Sequence, residues 1–98
     1  MRERERLPAR RDSELINFEH EGRKWKACIS RFFDGRVGEI FIDGSKDSPL
    51  LALAQETAIV ASIALQAGCP LATLQHALAG RSAGPIAAAL ALIERATP

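Results

Sequence analysis

The chain has 98 residues, 47% of them hydrophobic and 26% charged, and a net charge of +1. That is the make-up of one ordinary globular domain, with room for one core and one modest site and none for a large catalytic barrel. Cys28 and Cys69 lie far apart without CxxC spacing, which reads as two reduced thiols in a cytoplasmic protein and leaves too few ligands for a Cys-bound zinc.

Residues 1–11 carry five arginines (Arg2, Arg4, Arg6, Arg10, Arg11) against Glu3 and Glu5, so the positive charge is concentrated at this end. With no apolar period and with Pro8 inside it, the stretch reads as a flexible charged arm over residues 1–12, ahead of a single domain over residues 13–98. No apolar run follows the charged start, so no signal peptide is expected.

Three strands come next. Glu14 to His20 alternates Ile16 and Phe18 against Asn17 and Glu19. Arg23 to Phe32 sets Trp25, Ala27 and Ile29 on one face, with Lys24, Lys26, Cys28 and Ser30 on the other. Arg36 to Asp43 offers Ile40 and Ile42 to one face, Val37 and Phe41 to the opposite one. Period-two alternation of β-branched and aromatic residues is the strand signature. Glu21-Gly22 and Asp34-Gly35 supply short turns, and Asp-Gly between apolar runs favours a hairpin. The three strands therefore form an antiparallel meander, one face of which needs an apolar cover.

The cover begins at Pro49. Ser48 fits an N-cap, Pro49 the first helical position, Gly68 the left-handed residue that ends a helix, and Pro70 blocks continuation. The second half of this helix, Ala58 to Leu65, is apolar nearly all round, which predicts burial on every side by the rest of the chain or by a partner. At about eight residues the run is too short for a bilayer, which needs about 20, so no membrane partner is expected. A shorter helix follows from Pro70 to about Ala79, with Leu71, Leu74 and Leu78 at helical spacing. Gly80 to Gly84 breaks it, and Pro85 opens a last helix to about Arg95, with Ile86, Leu90 and Ile93 on one stripe. The fold class is α+β, a three-stranded antiparallel meander followed by three helices packed on one face.

The run Val37-Gly-Glu-Ile-Phe-Ile42, then Gly44-Ser-Lys46, then the stretch from Ala58 through Gly68-Cys-Pro70 to Leu78, resembles the TSCPD domain. That domain occurs near the C-terminus of adenosylcobalamin-dependent ribonucleotide reductases and as short free-standing proteins, which this chain resembles from about Arg6 to Ile93. The matching motifs are structural rather than catalytic. The Thr-Ser-Cys-Pro-Asp run that names the domain is replaced here by Arg81-Ser-Ala-Gly-Pro85. The Pro is kept while the Cys and Asp are absent, so no redox or metal role of that Cys carries over. The resemblance implies a small accessory or regulatory protein-interaction module linked to deoxyribonucleotide synthesis and DNA replication, with a reductase subunit as one partner. The reductase reaction itself needs a large barrel, a radical-bearing Cys and a cobalamin or metal site, which do not fit in this length, so no catalytic, cofactor or metal residue is assigned.

Local chemistry offers a few sites. His20 and His76 are far apart and have no Ser or Cys at motif spacing, and Glu39, Asp43 and Asp47 lack calcium-loop spacing. Lys46 and Ser48, ahead of a helix N-terminus, form a candidate anion site, which Asp47 opposes. Arg23, Lys24, Lys26 and Arg31 make a basic strand surface. Together with the arginine arm this supports an alternative reading, a weak nucleic-acid or nucleotide binder, although the glutamates within the arm would leave only a shallow salt dependence. Phe32, Phe33, Val37 and Phe41 are too many aromatic and β-branched residues for one sheet face, and a three-stranded sheet has two open edges. A homodimer, or a reductase-bound form, using the sheet's second face or an edge strand is the expectation.

Overall fold

In the computed structural model, which describes residues 3–8, 13–44, 49–79 and 84–96, the alternating segments form β1 (Ser13–His20), β2 (Arg23–Arg31) and β3 (Val37–Asp43). They make one antiparallel sheet in the order β1-β2-β3. The β1–β2 turn has two residues, and both Glu21 (φ 52) and Gly22 (φ 75) are left-handed. That geometry matches the twist of the flanking strands, at some cost for the non-glycine residue. The β2–β3 turn is closed by Arg36 and Phe32: the Phe32 N–H donates to the Arg36 carbonyl at 2.9 Å and the Gly35 N–H to the Phe32 carbonyl at 3.0 Å.

Three helices follow: α1 (Pro49–Gln66), α2 (Leu71–Leu78) and α3 (Pro85–Ala96). α1 ends as its residues dictate. Gly68 is left-handed (φ 102), and the Cys69 N–H reaches back to the Ala64 carbonyl at 2.9 Å. This closes the free carbonyls of the last turn. Ser48, expected as the cap at the other end, and Gly80 to Ala83, expected as the break before α3, lie outside the described residues.

Ladder neighbours on the inner face are Glu14, Ile29 and Ile40, then Ile16, Ala27 and Ile42, with Phe18 opposite Trp25. The core fills against them with Ala54, Ala58, Ala61 and Leu65 of α1 and Ile86, Ala89, Leu90 and Ile93 of α3. Leu71, Leu74 and Leu78 of the short α2 pack at its margin.

One expectation fails here, and another is met only in part. Val37 does not share a face with Phe41. The register slips at Ser30/Arg31, so Ser30 pairs with Glu39 while Arg31 pairs with Val37, and Gly38 is the extra residue. One added residue reverses the alternation beyond it, and Val37 is buried in the core. The described residues by themselves do not bury the second half of α1 on every side, so of the two covers expected, the rest of the chain or a partner, the first does not suffice. Ala54, Ala58, Ala61 and Leu65 face the core, while Leu53, Ile59, Val60 and Ile63 are exposed, because the described elements supply a layer on one side of it only. α1 as a whole is long and apolar enough to cross a bilayer, where the expectation weighed only its second half. The same length and composition suit the core helix of a water-borne domain.

Candidate interaction surface

β3 is an edge strand, and an edge leaves alternate N–H and C=O groups without a ladder partner. α1 runs antiparallel to β3 and supplies the partners from two side chains. The Ile40 N–H donates to Ser62 Oγ at 2.9 Å, and that hydroxyl lies 3.1 Å from the Ile40 carbonyl and 2.9 Å from the Ala58 carbonyl of its own helix. One turn on, Gln66 Nε2 donates to the Gly38 carbonyl at 2.8 Å. Four residues of helix rise about 6 Å, and two residues of strand about 6.8 Å. Ser62 and Gln66 can therefore meet Ile40 and Gly38 in step.

Gln66 also ties down the N-terminal segment. Its Oε1 accepts from Arg4 Nε, and its carbonyl accepts from the Glu5 N–H at 2.7 Å. The Glu5 carboxylate receives Arg36 Nη2 at 3.1 Å. Arg36 stands over the Phe32 ring, 4.7 Å from its centroid, and its Nε donates to Asp34 Oδ2 at 2.6 Å. The Arg36 backbone N–H, and then its guanidinium, hold the Asp34 carboxyl below its ordinary 3.8. In return Asp34, then Glu5, raises the Arg36 guanidinium. The described part of the charged arm, residues 3–8, is thus fastened to α1 and to the β2–β3 turn.

The sheet's other face carries rows of neighbours that cross all three strands. Leu15, Cys28 and Phe41 form an apolar row, with Leu15 and Phe41 exposed. Ser13, Ser30 and Glu39 lie on one side of it, Asn17, Lys26 and Asp43 on the other, and Glu19 opposes Lys24 beyond. The proposed basic surface is therefore not one patch. Lys24 and Lys26 sit among carboxylates, Arg23 opposes His20, and Arg31 turns to Glu14 at 2.6 Å. A cleft of about 650 Å³ opens at the Lys24–Asp43 end, where the buried Trp25 Nε1 has no hydrogen-bond partner among the described residues.

The four candidate interface residues divide. Phe33 is 90% exposed at the turn and Phe41 is exposed on the sheet. Val37 is in the core, and Phe32 is buried beneath Arg36 and against Gly38, where a Cβ would come within 2.6 Å of its ring. His20 is half-buried at the end of β1 and His76 is exposed on α2, in separate elements. Glu39 and Asp43 fall on β3, while Lys46, Asp47 and Ser48 lie outside the described residues. Sequence reasoning missed Ser62 and Gln66. Their signal was two polar residues four apart in an apolar run, on the same helix side as Ala58 and Leu65.

Over 71 residues the chain is 42% identical to the vitamin B12-dependent ribonucleotide reductase of Agrobacterium fabrum. Over 72 residues it is 40% identical to that of Bradyrhizobium diazoefficiens. These stretches cover 71% and 72% of this chain but only 6% of each reductase, so the likeness is to a small segment of much longer proteins. No protein-family model and no solved structure matches the chain.

Proposed function

We propose that the chain is an accessory or regulatory protein-interaction module that works with a vitamin B12-dependent ribonucleotide reductase, and so serves deoxyribonucleotide synthesis. The observation that carries this reading is the 42% identity over most of the chain to a segment that makes up 6% of such an enzyme. A segment of that size can dock, brace or regulate. Its likeness to the resembled domain rests on structural positions such as Gly38, Gly68 and Pro70 rather than on reactive side chains. The exposed row Leu15–Cys28–Phe41, with Phe33 beyond it, is the surface offered to the reductase. Exposed apolar surface of this kind is typical of protein contacts. Nucleic acid is the weaker partner, because among the described residues Lys24 and Lys26 sit among carboxylates, Arg31 is fastened to Glu14 and Arg4 to Gln66.

The test is titration of the purified chain into a purified vitamin B12-dependent reductase, following binding by calorimetry and turnover by product formation. Saturable binding that Phe41→Lys weakens about tenfold or more is the expected result. Absence of binding up to about 100 µM, with turnover unchanged, overturns the proposal.

A further inference from the structure

α1 has a second side. Away from β3, its residues Leu53, Glu56, Val60, Ile63 and Ala67 (the last just beyond the helix) follow alternating steps of three and four. That spacing makes a straight seam along a helix, the arrangement that packs lengthwise against another helix. Ala52 and Ile59 flank it on one side, Thr57 and Ala64 on the other. Among the described residues its middle is open: Leu53 is 60% exposed, Ile59 54% and Val60 67%, while Ile63 is 37% exposed and Ala67 half-buried toward the helix end. We infer that this seam is the contact between two copies of the chain, their α1 helices paired antiparallel about a twofold axis near Val60.

Three observations select a second copy as the occupant. The first is shape. An axis at Val60 sets Leu53 against Ala67, Glu56 against Ala64 and Ile63 against Thr57, so larger side chains meet smaller ones on either side of a central Val60–Val60 contact. The second is charge. α1 contains no Lys or Arg and a single acid, Glu56, so a lipid surface would find no cation for its phosphates. In the antiparallel pair the two Glu56 residues lie about 12 Å apart along the axis. Their repulsion is then largely screened at ordinary salt, and their stems can cover Ala64 while the carboxylates stay wet. The third is area. Leu53, Ile59, Val60 and Ile63 expose together roughly 400 Å² of apolar surface, at the level of the largest patch on a typical monomer. Two such patches with their rims approach the lower end of the roughly 1,200–2,000 Å² of stable interfaces. The pair should therefore be weak, with a dissociation constant on the order of 10 µM.

This inference does not rest on the reductase reading, and sedimentation of the chain alone can overturn it. Sedimentation velocity over about 1 to 300 µM, a range spanning the expected constant, should show the mass climbing from the 10.6 kDa monomer toward a dimer. Val60→Lys, at an exposed site, should keep the monomer's fold by circular dichroism and abolish the climb. Glu56→Leu, which adds an apolar side chain to the seam where a wet carboxylate stood, should tighten the pair about tenfold. Phe41→Lys, on the sheet, should leave it unchanged. A monomer at every concentration overturns the inference, as does pairing that survives Val60→Lys or that Phe41→Lys dissolves. So does a chain that stays monomeric and loses reductase binding on Val60→Lys, a result that assigns the seam to the reductase instead.

Discussion

Ser62→Ala tests whether α1 completes the edge of β3. Ile40 is fully buried and Ser62 nearly so, and the Ile40 N–H donates to Ser62 Oγ at 2.9 Å. Alanine removes that acceptor and the hydroxyl near the Ile40 carbonyl, while β2 pairs with the opposite side of β3. A buried donor left without a partner costs about 1–3 kcal/mol. Alanine returns up to about 0.5 kcal/mol as the better helix former. The net expectation is a loss of about 1.5 kcal/mol, which for a domain of this size lowers Tm by roughly 6–12 °C. Thr57→Ala is the matched control, because Thr57 Oγ1 makes a 2.8 Å bond to the Leu53 carbonyl in an exposed position. Its effect should stay within about 0.5 kcal/mol. Urea unfolding can be followed through Trp25, the only tryptophan and a buried one. It should be run at low protein concentration, so that self-association does not add to the apparent stability. Faster exchange of the Ile40 amide should accompany the loss. A Ser62→Ala protein within about 0.5 kcal/mol of wild type, with Ile40 exchange unchanged, would refute the edge-capping role.

Gly38→Ala should destabilise the domain by about 1–3 kcal/mol, the usual cost of overpacking, because its Cβ would lie 2.6 Å from the Phe32 ring and 2.7 Å from Leu7. Limited trypsinolysis should then cut sooner at Arg4 and Arg6, and unchanged cleavage would show that Leu7 does not hold the segment there. Asp34 should titrate below 3.8, since the Arg36 backbone N–H and then its guanidinium favour the carboxylate. A depressed folded-state value means that its contribution is present above the ordinary carboxylate range and is lost as pH falls through the lowered value. An NMR titration with Arg36→Ala as reference checks this, and a wild-type midpoint at or above 3.8 contradicts it.

The sheet was readable because its signals are local. Trp25, Ala27 and Ile29 alternate with Lys24, Lys26 and Cys28, and Asp34-Gly35 and Glu21-Gly22 mark turns by their backbone needs alone. Gly38 escaped because a bulge is a relation between two strands. A lone glycine inside a strand pattern hints at one and does not fix it. From that single slip follows the burial of Val37, and with it the smaller apolar set on the outer face. The fastening of Glu5 and Arg4 to Arg36 and Gln66 was equally invisible. It depends on where two distant segments meet, while composition describes an arm of alternating charge only as polar.

α1 shows most clearly where composition stops informing. Its run Ala58 to Leu65 is apolar nearly all round, and burial on every side, by the chain or by a partner, is the natural inference from that fact. What the run conceals is a difference between its two sides. Ala54, Ala58 and Ala61 face the sheet, where small side chains bring the helix close enough for Ser62 and Gln66 to reach the strand edge. Leu53, Ile59, Val60 and Ile63 point the other way. A helix that served one core would gain most by burying its largest apolar side chains there, since the gain grows with the area removed from water. Leu65 is buried in this way, but Leu53, Ile59 and Val60 stay more than half exposed, the pattern of a helix with a second surface to meet. The buried hydroxyl of Ser62 belongs to the same logic, because a polar group inside a core is tolerated where it is hydrogen-bonded. An isolated Ser and Gln four residues apart in an alanine-rich run therefore point to a polar partner at helical spacing, and the free edge of β3 is where they find it.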